Sequence, residues 1–453
     1  MASTFFGLTI AYSGLQAANT SLTITGHNVS NINTKGYTNQ QAGTQAADAL
    51  RTHTTYGAIG SGVVVTEISQ IRDSYYDVKY RNNMANYGQY SVKESYMGQI
   101  EDYLDEFTLN GYSQEYKNFF SAVNQLTITP GDTSAKNQLI NNAKSLADYF
   151  NTLTTNLRNV QADANNEIKD AVQQINSYAK NIAALNRQIN QIEANYGNAN
   201  DLRDKRNAMI DELSEIVNLE TSEEDMGNNI SNFSVRINGQ TLVSSYSYNT
   251  LETVARTDKK NYSDAEGLYD VQWNSGQKFD MYSTSLSGHL KGLIDIRDGN
   301  NGEHENIETD DDGNNVTDSD GNLVLTTAPA ADKTVSYKGV PYYQAQLNEF
   351  AKIFSDAVNK IMKSGYTSDG SSKGISLFVT QPNTTVMSAG NITVNPELLK
   401  NADLLAIKKE QNDGESDAKI MEELNKLQSE KIFAGGTGSY FLESIVSDMS
   451  IDS

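Results

Sequence analysis

Residues 132–196, DTSAKNQLINNAKSLADYFNTLTTNLRNVQADANNEIKDAVQQINSYAKNIAALNRQINQIEANY, contain no Gly and no Pro and lie between Pro130-Gly131 and Gly197. Nothing in the stretch breaks a helix. Its apolar residues fall at Leu139, Ala143, Leu146, Phe150, Leu153, Leu157, Val160 and Ala164, then at Ile168, Ala171, Ile175, Tyr178, Ile182, Leu185, Ile189 and Ile192. Steps of three and four alternate, with one break at Val160, Ala164 and Ile168, where two fours meet. This is a heptad seam with a single stutter. Roughly 64 residues at about 1.5 Å each make a rod on the order of 95 Å long. A compact domain has no room for it, so the spacing predicts an elongated molecule. Asn recurs along the rod (Asn141, Asn142, Asn151, Asn156, Asn165, Asn166, Asn176, Asn181). Asn is a mediocre helix former, so the rod must be held by burial of its seam against partner helices, at about 1.5–3 kcal/mol per large side chain.

At 453 residues the chain has room for two to four domains. Its net charge of −22 makes nucleic acid and anionic membranes poor partners. The absence of cysteine excludes disulfides, thiolate metal sites and Cys nucleophiles. No apolar run is long enough to span a membrane. The first residues, Met1-Ala2-Ser3-Thr4-Phe5-Phe6, lack the basic segment and cleavage pattern of a signal peptide, so export would need another route.

Residues 3–33 read as an amphipathic helix with a thin stripe: Leu8, Tyr12, Leu15, Ala18, Leu22, Val29 and Ile32. Gly14 and Gly26 weaken it by about 1 kcal/mol each relative to Ala. So polar a helix is expected to order only when something packs on the stripe. Asn28, Asn31 and Asn33 lead into Thr34-Lys35-Gly36-Tyr37, a helix stop in which Gly36 can take positive φ. Residues 38–58 are polar and read as irregular, and Gly60–Ile68 alternates like a strand. A second long helix opens at Arg72-Asp73 and runs to about Phe107. Its stripe is Tyr76, Tyr80, Tyr87, Tyr90, Met97, Ile100, Leu104 and Phe107, read as core with wet hydroxyls. A shorter helix follows at about 113–127, with Phe119, Phe120, Val123 and Leu126.

After the rod, Asn200–Val217 reads as a helix running back along the rod's end on the stripe Leu202, Met209, Leu213 and Ile216. From Leu219 the period changes to two. Phe233–Val243 alternates around Asn238-Gly239, a hairpin signal, and Tyr269–Trp273 is a further strand. Pro341 sits at a helix start above the stripe Leu347, Phe350, Phe354, Val358 and Ile361. Short strands at 375–380 and 391–394 and helical pieces at about 416–432 and 439–449 complete the chain. The fold class is multidomain α+β: an elongated long-helix, coiled-coil-like bundle with an inserted β-rich domain. Its parts are an N-terminal helix (1–37), a helical rod domain (38–218) completed by 341–453, and the β-rich insertion (219–340).

Two groups of residues carry a family resemblance. Ser13-Gly14-Leu15-Gln16-Ala17, followed by Asn28-Val29-Ser30-Asn31-Ile32-Asn33-Thr34-Lys35-Gly36-Tyr37, resembles the N-terminal signature of bacterial flagellar axial proteins of the rod, hook and hook-associated types. The stretch DLRDKRNAMIDELSEIVNL (201–219) and the helix at 288–298, GHLKGLIDIRD, are similar to the hook-associated branch that forms the junction between hook and filament. The resemblance implies an extracellular, non-enzymatic structural protein. It implies export by the flagellar type III route without a cleaved signal, and assembly through terminal helices. The implied partners are copies of itself, the hook protein, a second hook-associated junction protein and an export chaperone. The implied assembly interface is Leu8, Leu15, Leu22 and Val29, and the family motif is Ser13, Gly14, Leu15, Asn28, Asn31, Asn33, Thr34, Gly36 and Tyr37. The resemblance also implies a long C-terminal helix that pairs with the N-terminal one; it is not found before Ser453, as a truncated chain or an unusual member would have it.

One segment suggests other chemistry. Residues 301–321 carry eight acids and no Lys or Arg. The calcium-loop spacing fails, because Leu323 stands where Gly is needed and Pro329 at the twelfth position. A solvated loop or hairpin turning at Asp312-Gly313 and Asp320-Gly321 is the plainer reading. His27, His53, His289 and His304 are isolated, and no nucleophile elbow, phosphate loop or dinucleotide fingerprint occurs. No metal or cofactor is expected. The competing readings are a hook- or rod-type axial protein and a calcium-dependent extracellular adhesin.

Overall fold

The structure, a computed structural model, describes residues 5–51, 57–104, 111–300, 306–307, 325–326, 337–382, 384, 386–414, 416–433 and 436–452. Its helices are α1 (Phe6–Ser30), α2 (Ser74–Leu104), α3 (Tyr112–Ile128), α4 (Thr133–Glu193), α5 (Asn200–Ile216), α6 (His289–Arg297), α7 (Val340–Ser364), α8 (Pro396–Lys400), α9 (Lys419–Lys426) and α10 (Gly438–Asp452). With small antiparallel sheets between them, the fold class is the α+β expected. The acidic loop 301–321 lies, apart from 306–307, outside the described residues.

The chain packs as two units, each drawn from separated segments. One comprises residues 1–89, 170–252 and 271–290, the other 90–169, 253–270 and 291–453. The helix read from 132–196 is present as α4, 61 residues without interruption. From Leu139 to Ile189 its seam is buried, Tyr178 half so, while Ile192 at the end is exposed.

The first unit holds the sheet of β5 (Glu220–Asp225), β6 (Ser231–Ile237), β7 (Gln240–Ser244) and β8 (Ser247–Tyr248), antiparallel throughout. The β6–β7 turn is Asn238-Gly239, with φ of 50° and 75°. Both central residues are left-handed, as a tight hairpin requires. α4 grips this region through its amides. Asn190 donates to the Ser231 carbonyl at 2.8 Å and accepts from the Ser231 N–H at 3.1 Å. Asn176 holds Leu251 in the same two-point way, at 2.8 Å each. Asn186 donates to the carbonyls of Phe233 and Ser245. An Asn side chain has the donor and acceptor of a peptide group, so each stands in for a neighbouring strand residue.

α5 runs back along the end of α4, as expected: Glu193 pairs with Arg203, Asn186 with Arg206 and Tyr178 with Glu212. Glu223 of β5 accepts from Arg203 at 2.9 Å, Arg206 at 3.1 Å and Ser231 at 2.7 Å. The Arg206 guanidinium also lies 3.7 Å from the Phe233 ring centroid.

Two expectations are corrected here. Residues 38–58 are not simply irregular: β1 (Gln40–Ala46) pairs antiparallel with β4 (Val63–Gln70), and β2 (Leu50–Arg51) pairs with β3 (Ala58–Ile59). The partner strand, not local propensity, makes β1 a strand. The stripe of α2 is only partly core. Met97, Ile100 and Leu104 are buried, whereas Tyr76, Tyr80, Tyr87 and Tyr90 are 49–68% exposed and Phe107 lies outside the described residues. α2 instead turns Arg81, Ala85 and Gly88 inward. A Cβ at Gly88 would meet the Glu215 carbonyl oxygen at 2.2 Å.

The second unit has an aromatic core. Phe350 of α7 stacks on Phe433 at 4.8 Å between centroids, and Phe354 meets Phe119 edge-on at 5.5 Å. Phe150, Phe378 and Phe441 join the same cluster. Each well-placed ring pair adds about 0.5–1.5 kcal/mol beyond burial. Here too α4 uses amides. Asn165 accepts from the Tyr269 N–H, and Gln161 donates to Asp264 and the Arg297 carbonyl. Asp298 is buried, which alone would raise its carboxyl, but Arg297 and Arg256 hold it well below the ordinary carboxylate range.

Asn190→Ala replaces a poorer helix former with the best one, yet leaves the N–H and C=O of Ser231 without these partners. We expect a net loss of about 2–4 kcal/mol in denaturant melts. Asn181→Ala, at an exposed position of the same helix, should be neutral or gain up to about 0.7 kcal/mol. Equal effects at the two positions would refute the bracket. Glu223 supplies a pH test. Burial alone would raise its carboxyl, but Arg206, Ser231 and Arg203 together hold it below its ordinary value of 4.5. Its stabilisation is therefore complete above 4.5 and lost as pH falls through the lower folded value. Glu223→Gln should cost about 1–3 kcal/mol at neutral pH, with the difference from wild type narrowing as the solution is acidified below that range.

Candidate assembly interface

The polar faces of α1 satisfy themselves. Thr20, Ser21, Thr23, Thr25 and Ser30 each donate a hydroxyl to the carbonyl four residues back. Such back-bonding removes the need for a polar partner. One side of α1 packs on β1 and β4, burying Ala17 and Ile24. Ser13 accepts from the Val63 N–H at 3.2 Å. The approach there is close: Gly62 has φ +113°, and a Cβ on it would meet the Ser13 hydroxyl oxygen at 2.2 Å.

The turn after α1 is fixed by the motif residues. Asn28 donates to the Gln40 carbonyl at 2.9 Å, accepts from the Gln40 N–H at 3.0 Å, and accepts from the Tyr37 hydroxyl at 2.7 Å. It is the same two-point bracket that α4 uses. The Tyr37 hydroxyl also lies 2.9 Å from His27 Nδ1. Asn31 donates to the His27 carbonyl, and Thr34 donates to Asn31. Asn33 is exposed on the turn, and Gly14 has open space where a Cβ would stand. Gly36 has φ +80°, with its Cβ position 3.0 Å from the Ala208 methyl. Thr38 donates its N–H to Asp204 at 3.0 Å, and Gln40 donates to Asp201 at 3.2 Å. Asp201, Asp204 and Ala208 belong to α5, so the two stretches that carry the family resemblance meet in this unit.

Leu8, Leu15, Leu22 and Val29 are brought onto one side of α1, and that side is uncovered: they are 64–70% exposed, with Tyr12 and Ile32 beside them. Among the described residues nothing buries the stripe. A further signal was legible but lies outside hydrophobic periodicity: residues 1–34 contain no Asp, Glu, Lys or Arg, in a chain of net charge −22. The exposed tyrosines of α2 are the other surface feature that the periodicity reading misplaced.

Among the described residues no group of three or more His, Cys, Asp or Glu is placed to hold a metal, and no helix is long and apolar enough to cross a membrane. An open cleft of about 640 Å³ in the first unit is lined by Glu67, Tyr196, Glu223 and Asp225 among others. Arg203, also in its wall, pairs with Glu193 and Glu223.

Residues 97–378, more than half the chain, match the family model described as the flagellar hook-associated protein FlgK helical domain. The chain is 32% identical over 234 residues to flagellar hook-associated protein 1 of Bacillus subtilis, covering 51% of this chain and 46% of that protein. It is 33% identical over 219 residues to flagellar hook-associated protein 1 of Salmonella typhimurium, covering 48% and 39%. The matches thus span less than half the length of these relatives. The solved flagellar hook junction protein FlgK of Burkholderia pseudomallei is similar in fold, with a TM-score of 0.50 at 23% identity over 66% of this chain and 46% of that one.

Asn28→Ala removes three hydrogen bonds of the turn. It should make residues 6–37 on the order of tenfold more susceptible to limited proteolysis, as a loss of about 1–3 kcal/mol in local stability implies. The main helical melt should not move. Unchanged cleavage would show that the turn does not depend on Asn28.

Proposed function

The chain belongs to the flagellar hook-associated protein FlgK family, and on that premise we propose that it is a structural piece of the bacterial flagellum, placed at the junction between hook and filament. The observation that carries the reading is the uncovered stripe of α1. Each large apolar side chain left in water forgoes about 1.5–3 kcal/mol of burial. The uncharged helix α1 gains that energy when it enters a tube of like subunits, where a charged helix would be repelled. In this role α1 acquires its full stability only on assembly. The turn at Asn28–Thr38 sets the direction in which the chain leaves the tube, because α5 holds it from the other side.

The partners that follow are neighbouring copies sideways, the hook protein below, a second hook-associated junction protein above, and an export chaperone before secretion. The chain would leave the cell through the flagellar type III channel and act outside it. The work is mechanical, with no catalytic step.

Deleting the gene should leave hooks without filaments, with filament protein lost to the medium. Filaments of normal length on the deleted strain would end the proposal. Complementation with Leu15→Ser/Leu22→Ser should fail to restore filaments, although the purified variant melts within about 2 °C of wild type, as exposed positions predict. A large fall in melting temperature would show that the stripe stabilises the single chain instead.

A further inference from the structure

The turn that ends α1 contains one ring that the family motif does not name. His27 lies in the last turn of α1 and is exposed. Its Nδ1 stands 2.9 Å from the Tyr37 hydroxyl oxygen, and the two rings meet edge-on at 5.5 Å between centroids. The backbone beneath the ring is pinned, because the His27 carbonyl accepts from the Asn31 N–H at 3.1 Å and from the Asn31 side-chain amide at 3.0 Å.

One backbone group fixes the direction of every hydrogen bond around this ring. The Gln40 N–H can only donate, so the Asn28 atom 3.0 Å from it is the amide oxygen, Oδ1. The opposite assignment would set the amide nitrogen against that N–H. It would also set the oxygen against the Gln40 carbonyl, to which Asn28 Nδ2 donates at 2.9 Å. Oδ1 lies 2.7 Å from the Tyr37 hydroxyl as well. An amide oxygen carries no hydrogen, so the hydroxyl donates. Burial, then Asp201 and Asp204, raise the Tyr37 phenol above its ordinary value, so that proton is retained. A hydroxyl has one hydrogen to give. With it committed to Asn28, the Tyr37 oxygen can only accept from His27, and Nδ1 must carry a hydrogen.

We propose that His27 is a positioning residue of this turn: with its hydrogen on Nδ1 it donates to Tyr37 and so points the Tyr37 hydroxyl at Asn28. A neutral imidazole in water favours the hydrogen on Nε2, and the bond made by one ring nitrogen decides which of the two carries it. Tyr37 therefore selects the less common tautomer. The relay runs one way, from His27 through Tyr37 to Asn28, whose oxygen also takes the Gln40 N–H and so ties α1 to β1. Without the ring, the hydroxyl is free to rotate towards water, and Asn28 keeps only its bracket on Gln40. The inference concerns the turn alone and does not depend on what covers the rest of α1. Sequence spacing left His27 isolated because its partner stands ten residues on, across the turn.

The chain has four histidines, so protein labelled with heavy nitrogen in histidine alone gives a nuclear magnetic resonance spectrum of few rings. The His27 signals are identified by their loss in His27→Asn. Spectra of the full chain are taken about two pH units above the ordinary histidine value of about 6.5, where neutral rings dominate. The expected result is a protonated Nδ1 and a bare Nε2 at His27, with a return to protonated Nε2 in Tyr37→Phe. A protonated Nε2 at His27 in the unmodified chain would overturn the proposal without any variant having to fold. A tautomer unchanged by Tyr37→Phe would overturn it too. Limited proteolysis of residues 6–37 gives a second readout. His27→Leu should raise cleavage on the order of threefold, as the loss of one neutral hydrogen bond implies. In the Tyr37→Phe background the same change should add nothing. His27→Asn, which sets an amide N–H near the place of Nδ1, should recover most of the protection. Equal effects of His27→Leu in both backgrounds would show that the ring acts by packing alone, and the positioning role would fall.

Discussion

The structure depends on what covers the long helix α4. A 61-residue helix presents more seam than it can satisfy alone. Other helices cover part of it. Much of the rest of its attachment is made by Asn and Gln side chains that bond backbone directly. Asn176 and Asn190 each take both the N–H and the C=O of one residue. Gln161 and Asn165 do comparable work in the other unit. Each such amide lowers helix propensity by about 0.7 kcal/mol or less relative to Ala. It supplies two hydrogen bonds to backbone groups that would otherwise lack these partners, and the second effect is larger. The amides also fix register, because a two-point bond forms at one residue and not at its neighbour.

α1 is the counter-example within the same molecule. Its motif residue Asn28 makes the same bracket, to Gln40, and so ties the end of the helix to β1. Its apolar stripe has no such cover. The helix is thus anchored at its exit and along one narrow side, while its leucines face outward. Under the proposed function that imbalance has a use, since the exposed face would be buried on assembly. The absence of charge from residues 1–34 is consistent with this, since charge there would have to be desolvated on packing.

Local and periodic features could be read from the sequence. The α4 seam, the Asn238-Gly239 hairpin, the Pro341 helix start and the antiparallel course of α5 all follow from spacing or turn chemistry, and all are present. What could not be read is what lies opposite a face. The α2 stripe has one period from Tyr76 to Leu104, but its C-terminal residues are covered and its N-terminal tyrosines are not. Periodicity states which residues share a side, not whether that side has a neighbour. β1 was missed for a related reason, since Gln40–Ala46 is a strand through pairing with β4. The recurrent Asn of α4 read as weakness because a side chain's distant bonding partner leaves no trace in local spacing. The motif around Asn28 and Gly36 was recognised as a unit, yet its seat on Asp204 and Ala208 came only with the fold.

We propose that the apolar side of α1 is completed on assembly. Amide hydrogen exchange on the dispersed, full-length protein tests it most directly, because protection reports the free energy of opening residue by residue. The account predicts that residues 6–30 exchange orders of magnitude faster than the α4 seam between Leu139 and Ile189. Protection of α1 equal to that of α4 in the dispersed chain would contradict it, since the helix would then draw its stability from within the monomer.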